Sequence, residues 1–366
     1  MNLIIDARMV HKELHGIARY TYELINNLAR DYKVNLTLLT NNEEESRALF
    51  IAHKNLNYIT MKSKFLSPKE QFELPRLLNK YSKNYIFHSP SFSSSPFLKI
   101  KSIMTIHDLN HIRYPQFYTP LHRYYYNFIV KPCALKCSKI LTVSQFSKRE
   151  LLEWLKCDEE KISVTYNGID GKFSREKDET KLEAIRKKYK LPKNFVLYVG
   201  NQKPHKNVEV LVRAMQYVES DIKLVMNGKY TENISAIIDE KNLKDKIQAI
   251  GFIEDEDLPI LYSCAHLFVF PSLYEGFGLP PLEAMACGCP AIVADTSSLP
   301  EAVGEAAIKF KATDYEALGK AINEILNNEE LKNKLVADGL EQAARYKWKE
   351  TAALTYNIYK ELWDRQ

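Results

Sequence analysis

Apolar and polar positions fall into a repeating order along the chain. Short apolar runs of strand length alternate with longer runs whose apolar residues recur at helical spacing. Residues 3–5 read as a strand, 18–29 as a helix and 34–39 as a strand, and the pattern continues with strands at 85–87, 102–106 and 140–143. After the last of these come Ser147, Lys148, Arg149 and Glu150. A serine with a glutamate three residues on predicts a capping box at a helix start. Regular alternation of strand and helix makes the strands parallel, with helices as crossovers. The N-terminal half is therefore expected to be one doubly wound α/β unit.

Around Tyr166, Asn167, Gly168, Ile169 and Asp170 an Asn-Gly turn is followed by a charged stretch, 171–190, with little apolar content. We place the domain boundary there. A second α/β series begins with strands expected at 195–199, 222–226, 247–250, Leu267–Phe270 and Ala291–Ala294. The chain closes with an aromatic-rich helix at 348–363, too apolar to be a free tail. Two open α/β domains of similar size should face each other across a cleft.

The length of 366 residues exceeds what one core usually serves and agrees with two domains. With 45% apolar and 27% charged residues, wholesale disorder is excluded. The net charge of +5 is spread along the chain, unlike the clustered basic charge of a nucleic-acid binder, and suits an anionic ligand or an acidic membrane surface. The six cysteines show no C-x-x-C pair and no metal-ligand spacing with histidines, so they read as buried thiols of a reducing compartment. Asp6 and Arg8 interrupt the first apolar stretch, leaving no secretory segment, and no run of eighteen apolar residues follows. A cytoplasmic protein is expected, with any membrane contact peripheral, as at the inner face.

Glycine is scarce, 12 in all, and only Gly16 occurs in the first 167 residues, between the first strand and the first helix. A doubly wound sheet places its ligand crevice there. Gly200, Gly228, Gly251, Gly276 and Gly278 recur after expected strands of the second half. Neither a G-x-G-x-x-G fingerprint nor a P-loop is present.

The segment 267–290 is the richest in chemistry. A buried strand ends at Phe270, a loop carries Glu275, Gly276, Phe277, Gly278 and Leu279, and Pro280 or Pro281 opens a helix that stops at Gly288. Free N–H groups around Gly278 and Leu279 suit phosphate oxygens. Glu275 and Glu283 lie eight positions apart, one on the loop and one on the helix, each suited to solvent or a polyhydroxy ligand.

This spacing resembles the E-x7-E signature of glycosyltransferase family 4, retaining nucleotide-sugar transferases of the GT-B fold. Further segments resemble the family in its own order: Gly16-Ile17-Ala18-Arg19-Tyr20, Ile106-His107-Asp108, Val143 to Ser147, Asn167 to Asp170, Tyr198-Val199-Gly200 through Lys206-Asn207, and Gly251-Phe252-Ile253. The resemblance implies two Rossmann-like domains, 1–166 on the acceptor side and 167–347 for the donor, with the C-terminal helix at about 348–366 packing back on the first. It implies donor binding without a metal or other cofactor, with Lys206 as the main phosphate cation and the amides of Gly16, Gly278 and Leu279 beside it. Family members commonly carry an arginine in the Gly200 loop, where this chain has Asn201 and His205. Lys203 or a protonated His205 is the expected substitute.

By the same resemblance Glu275 accepts from donor-sugar hydroxyls, Glu283 from the ribose and Ile253 meets the base through its backbone. His107 contacts the donor sugar and helps position the acceptor. The catalytic set is thus His107, Lys206 and Glu275. Implied partners are a nucleoside-diphosphate sugar and a glycan or lipid-linked sugar, with no nucleic acid and no assigned oligomeric state. The start of the chain looks most like mannosyl- and rhamnosyltransferase members. Rival expectations are a silent nucleotide-sugar binding subunit, or an epimerase or phosphorylase on the same fold.

Two features read as structural. Asp255, Glu256 and Asp257 match a D-x-D pattern but precede an apolar helix, where acids serve as dipole partners. The aromatic and basic run 117–126 suits an acceptor or membrane patch, yet reads first as a half-buried helix face.

Overall fold

A computed structural model describes residues 1–14 and 16–365, except the side chain of Pro120. The chain divides into two compact units, one formed by residues 1–168 with 347–366 and the other by 169–346. The first holds a seven-stranded parallel sheet: β1 Asn2–Asp6, β2 Asn35–Thr40, β3 Asn57–Thr60, β4 Ile86–Ser89, β5 Lys101–Thr105, β6 Lys139–Thr142 and β7 Ile162–Val164, in the order β3-β2-β1-β4-β5-β6-β7. The second holds six parallel strands: β8 Phe195–Tyr198, β9 Lys223–Met226, β10 Ile247–Ala249, β11 Leu267–Phe270, β12 Ala291–Ala294 and β13 Ile308–Phe310, in the order β10-β9-β8-β11-β12-β13. Both are doubly wound. The strand order reverses between β1 and β4 and again between β8 and β11, and ligands bind beyond the carboxyl ends of strands at such points.

The central strands are near-continuous apolar runs, as sheets covered on both faces require. Leu3, Ile4 and Ile5 have no exposed surface, nor do Phe195, Val196, Leu197 and Tyr198. The edges are more polar. β3 (Asn-Tyr-Ile-Thr) has no fully buried residue, and it escapes the hydrophobic pattern, as do the three-residue strands β7 and β13. The C-terminal helix Trp348–Asp364 belongs to the first unit, burying Trp348, Ala352, Thr355 and Tyr359.

One expectation on capping is corrected. The helix Gln145–Leu155 is capped by Ser144, whose extended backbone lets its hydroxyl accept from Ser147 N–H at 3.0 Å. Ser147 lies inside the first turn, and its own hydroxyl donates to the His107 carbonyl at 3.0 Å.

A buried charge cluster also went unread. Asp6 and Arg8 are two positions apart, hence on one face of the chain leaving β1. The Arg8 guanidinium donates to both Asp6 oxygens (2.9 and 2.6 Å), to Glu70 Oε2 (2.9 Å) and to Ser93 Oγ (2.9 Å). Burial alone would lower the Arg8 pKa, and Asp6 and Glu70 more than reverse this. All six cysteines are free thiols and five are buried; Cys157 is half-buried.

Candidate functional site

In the second unit the loops after β8 and β11 flank the point where strand order reverses. The β8 loop is set by Gly200, where a Cβ would lie 2.7 Å from the Tyr198 hydroxyl oxygen, itself donating to the Asn201 carbonyl at 2.6 Å. A 3-10 turn, Pro204–Lys206, follows and ends in Asn207, which takes a left-handed backbone with φ 55°. The Asn207 amide donates to the carbonyls of Pro271 (3.0 Å) and Ala312 (2.8 Å). The His205 carbonyl accepts from Leu273 N–H at 2.8 Å and from the Ser272 hydroxyl at 3.1 Å. These bonds sew the two loops together.

Across this seam Lys206 Nζ donates to Glu275 Oε1 at 2.6 Å, and the ammonium also lies 5.4 Å from the Phe270 ring centroid. The family resemblance implies that both residues meet the donor, and in the structure they bond to each other directly. Glu275 N–H donates to Ser297 Oγ at 3.1 Å, and the Ser298 hydroxyl reaches the carbonyls of Glu275 and Phe277 at 2.9 Å each. No motif marked Ser297 or Ser298, and Asn207 entered only as the last residue of the Tyr198–Asn207 segment. The loop is thus held from three sides before any ligand arrives.

Gly278 caps the helix Leu279–Ala286 with φ 104°, and a Cβ there would meet Leu299 Cδ2 at 2.6 Å. Pro280 and Pro281 bring no N–H to the first turn, so its donors are few and Leu279 N–H is the first of them. Glu283, half-buried on this helix, faces the fully buried Tyr262; burial first and then the Glu283 charge raise the phenol's pKa.

His205 requires a correction. It is buried, and burial followed by the nearby Lys206 charge pushes its pKa down to about 4, so the ring is neutral near pH 7 and supplies no cation. Lys203 is exposed and keeps that option. Gly200 N–H donates to Asn227 Oδ1 at 2.8 Å, and Gly228 N–H to the Gly251 carbonyl at 2.6 Å, linking the β8, β9 and β10 loops along one edge toward Ile253. The acids before the helix Leu258–Cys264 are engaged elsewhere: Asp255 pairs with Lys172, and Asp257 with Lys188 and the Tyr189 hydroxyl, both at 2.6 Å.

The first unit presents Gly16 and His107. Gly16 starts the helix Ile17–Asp31 with φ 49°, and the space its missing side chain would fill is open. One turn on, buried Tyr20 sets its ring edge against His107, with centroids 4.8 Å apart at 87°. His107 Nε2 donates to the Pro90 carbonyl at 2.9 Å, and burial pushes the ring's pKa down to about 4. His88 lies behind it on β4, bonded to the Tyr359 hydroxyl (2.5 Å) and to Thr105 Oγ1 (2.8 Å), and pushed down to about 3 by burial and by His107. Its partner Tyr359 is 271 positions away, so no local pattern announced it.

The aromatic run divides. Tyr126 is buried as a packing residue, but Leu121 is 75% exposed and Tyr124 63% exposed. Packing therefore accounts for only part of it.

Comparison with known proteins agrees with this architecture. Residues 14–173 match the profile described as Glycosyltransferase Family 4, and residues 181–342 match Glycosyl transferases group 1. The chain is similar to O-antigen chain mannosyltransferase B of Escherichia coli, 29% identical over 98% of this chain and 100% of that protein. It is also similar to O-antigen chain mannosyltransferase RfbU of Salmonella typhimurium, 31% identical over 63% of this chain and 62% of that one. Among solved structures, HepE of Anabaena in complex with UDP and glucose has a TM-score of 0.78, 15% identity and coverage of 99% of this chain and 100% of that one, a likeness of fold. With both halves matched and the GT-B fold present, the chain belongs to the glycosyltransferases of family 4 and group 1, and is an enzyme of that class.

Proposed function

We propose that the chain is a retaining transferase that moves a hexose, with mannose as first choice, from a nucleoside diphosphate to a hydroxyl of a glycan or lipid-linked sugar, without a metal ion. The observation that carries this reading is the Lys206–Glu275 pair, 2.6 Å apart where the strand order of the second unit reverses and on the loop that enters the helix Leu279–Ala286. A leaving nucleoside diphosphate develops negative charge, and a cation with free amides placed there stabilises it. Lys206 supplies the cation, and Gly278 and Leu279 supply the amides. When the diphosphate engages Lys206, Glu275 is released toward the sugar hydroxyls. Glu283 takes the ribose, Ile253 the base, and Lys203 joins at the phosphates.

In the transfer the donor C1–O bond breaks, the acceptor oxygen bonds to C1 on the same face, and the acceptor proton passes to the departing phosphate. His107, neutral at working pH, serves as a hydrogen-bonding wall for the sugar. The choice of mannose is supported by the mannosyltransferase names of similar proteins. The reading places the enzyme in the cytoplasm, in peripheral contact with a membrane face.

Calorimetry with UDP, GDP, dTDP and ADP and their common sugars, with and without EDTA, tests it. One nucleotide should bind selectively, equally well in EDTA, and at least tenfold more weakly to Lys206→Ala and Glu283→Ala. Binding that disappears in EDTA would overturn the metal-free mechanism, and no binding at all would overturn the donor site.

A further inference from the structure

A second site lies at the opposite end of the first unit's sheet. A cavity of about 680 Å³ opens at the amino ends of β4, β5 and β6, where Lys83, Lys99, Lys101, Lys136 and Arg365 line it together with serines such as Ser94 and Ser102. Among the described residues no aspartate or glutamate lines it. Lys101 Nζ donates to the Leu362 carbonyl (2.9 Å) and Lys136 Nζ to the Pro96 carbonyl (2.6 Å). Arg365 pairs with Glu361, whereas none of the four lysines pairs with a carboxylate among the described residues. Converging cations without counter-charge raise one another's energy unless an anion joins them.

An independent pattern adjoins this pocket. Residues 109–149 contain no aspartate or glutamate and seven lysines or arginines. Arg113 and Lys148 pair with Glu150 and Glu159 outside that stretch. Within it a helical run, Pro120–Tyr125, a π turn Tyr126–Val130 and Lys131–Lys136, exposes Leu121 (75%), Tyr124 (63%), Phe128 (58%) and Leu135 (42%). Their spacing of three, four and seven residues sets them along one side of the run. Tyr124 and Phe128 stack on each other at 4.2 Å. The run ends at Lys136, which lines the pocket, and Lys136 bonds the carbonyl beside Phe97, another exposed aromatic at 57%. Exposed apolar side chains next to unpaired lysines are the signature of a surface that enters a charged lipid interface.

We propose that this face docks on an anionic phospholipid membrane, with a headgroup phosphate seated among Lys83, Lys99, Lys101 and Lys136 and the Leu121–Leu135 stripe in the acyl boundary. The inference rests on the membrane contact of the reading above and on no step of the transfer. Among the described residues no helix is long and apolar enough to cross a membrane, so the contact is interfacial.

The test is sedimentation of the full chain with phosphatidylcholine vesicles, with and without phosphatidylglycerol. Binding should require phosphatidylglycerol and fall as salt rises. The triple variant Lys83→Ala/Lys99→Ala/Lys136→Ala should lose about fivefold in partitioning per lysine. Leu121→Gln/Phe128→Gln, both exposed, should weaken binding with the pocket intact, and the charge-matched triple change Lys177→Ala/Lys187→Ala/Lys244→Ala, at exposed positions of the second unit, should not. Equal binding to both vesicle types would overturn the proposal, as would lysine variants that bind like the parent. Saturation of the pocket by inorganic phosphate without vesicle binding would overturn it too, as a soluble-anion site. Nucleotide calorimetry on the same variants is a separate readout, so failure here and failure of the donor site are distinguishable.

Discussion

Lys206 and Glu275 are each mostly buried, with 15% and 16% of the side chain exposed, and each compensates the other's charge at 2.6 Å. The pair therefore holds its geometry without ligand, and substrate has to exchange one partner for another. Lys206→Ala should lower kcat by about 100- to 1,000-fold, the loss expected when one stabiliser of developing charge is removed. Initial rates of sugar transfer read this, and a loss below tenfold would take Lys206 out of the phosphate site. The histidines make a different prediction. His107 and His205 are pushed down to about 4 and His88 to about 3, by burial first in every case. An unfolded histidine titrates near ~6.5. Between these limits the unfolded chain binds protons that the folded one refuses, so stability is full above about pH 6.5 and declines as pH falls toward 4. His107→Gln should flatten that decline by on the order of 3 kcal/mol. Urea unfolding at pH 7 and pH 4.5 measures it, and an unchanged slope would show that His107 is not held neutral.

At the scale of elements, strand β11, the loop to Gly278 and the helix Leu279–Ala286 were legible because each local signal agreed: an apolar run, two glycines, two prolines and a glycine stop. The structure adds why Gly278 is a glycine. Its φ of 104° belongs to a region other residues rarely enter, and a Cβ would strike Leu299. Gly278→Ala should cost about 2 kcal/mol and weaken diphosphate binding by tilting the helix start. Gly16→Ala meets open space, so it should show the smaller cost of an unfavourable backbone alone. Thermal melts of both variants separate the two effects; equal losses would mean that the Leu299 contact is of no account. What stayed illegible had physical reasons as well. β3 carries polar edge residues, and Ser144 outcompeted Ser147 as the cap because the helix began three residues sooner than the apolar pattern suggested. The Arg8, Asp6 and Glu70 cluster joins residues 62 positions apart, and only Asp6 and Arg8 hinted at it, as charges inside an apolar run. His205 looked like a cation until its burial was known.

At the scale of the whole molecule the chain leaves its first unit after Gly168 and returns to it at Lys347. The departing and returning segments touch. A Cβ on Gly168 would lie 2.0 Å from Trp348 N and 2.6 Å from Trp348 Cα, both backbone atoms that cannot rotate away. The Thr351 hydroxyl donates to the Tyr166 carbonyl at 2.5 Å, and further along the same helix Tyr359 bonds His88 behind His107. The returning helix thus enters the first unit beside the residue where the chain leaves it, and it reaches the histidine pair of the candidate site. Gly168→Ala has no left-handed backbone to strain, so its whole cost comes from pushing Trp348 aside. We expect a loss on the order of 2–4 kcal/mol, larger than a typical overpacked core position because backbone rather than a side chain must move. Hydrogen exchange should quicken in the helix Trp348–Asp364 and in β4, where His88 loses its fixed partner. If the variant melts with the parent and protection in β4 is unchanged, the returning helix does not govern the order of the His88 and His107 wall, and sugar transfer by the variant should then match the parent as well.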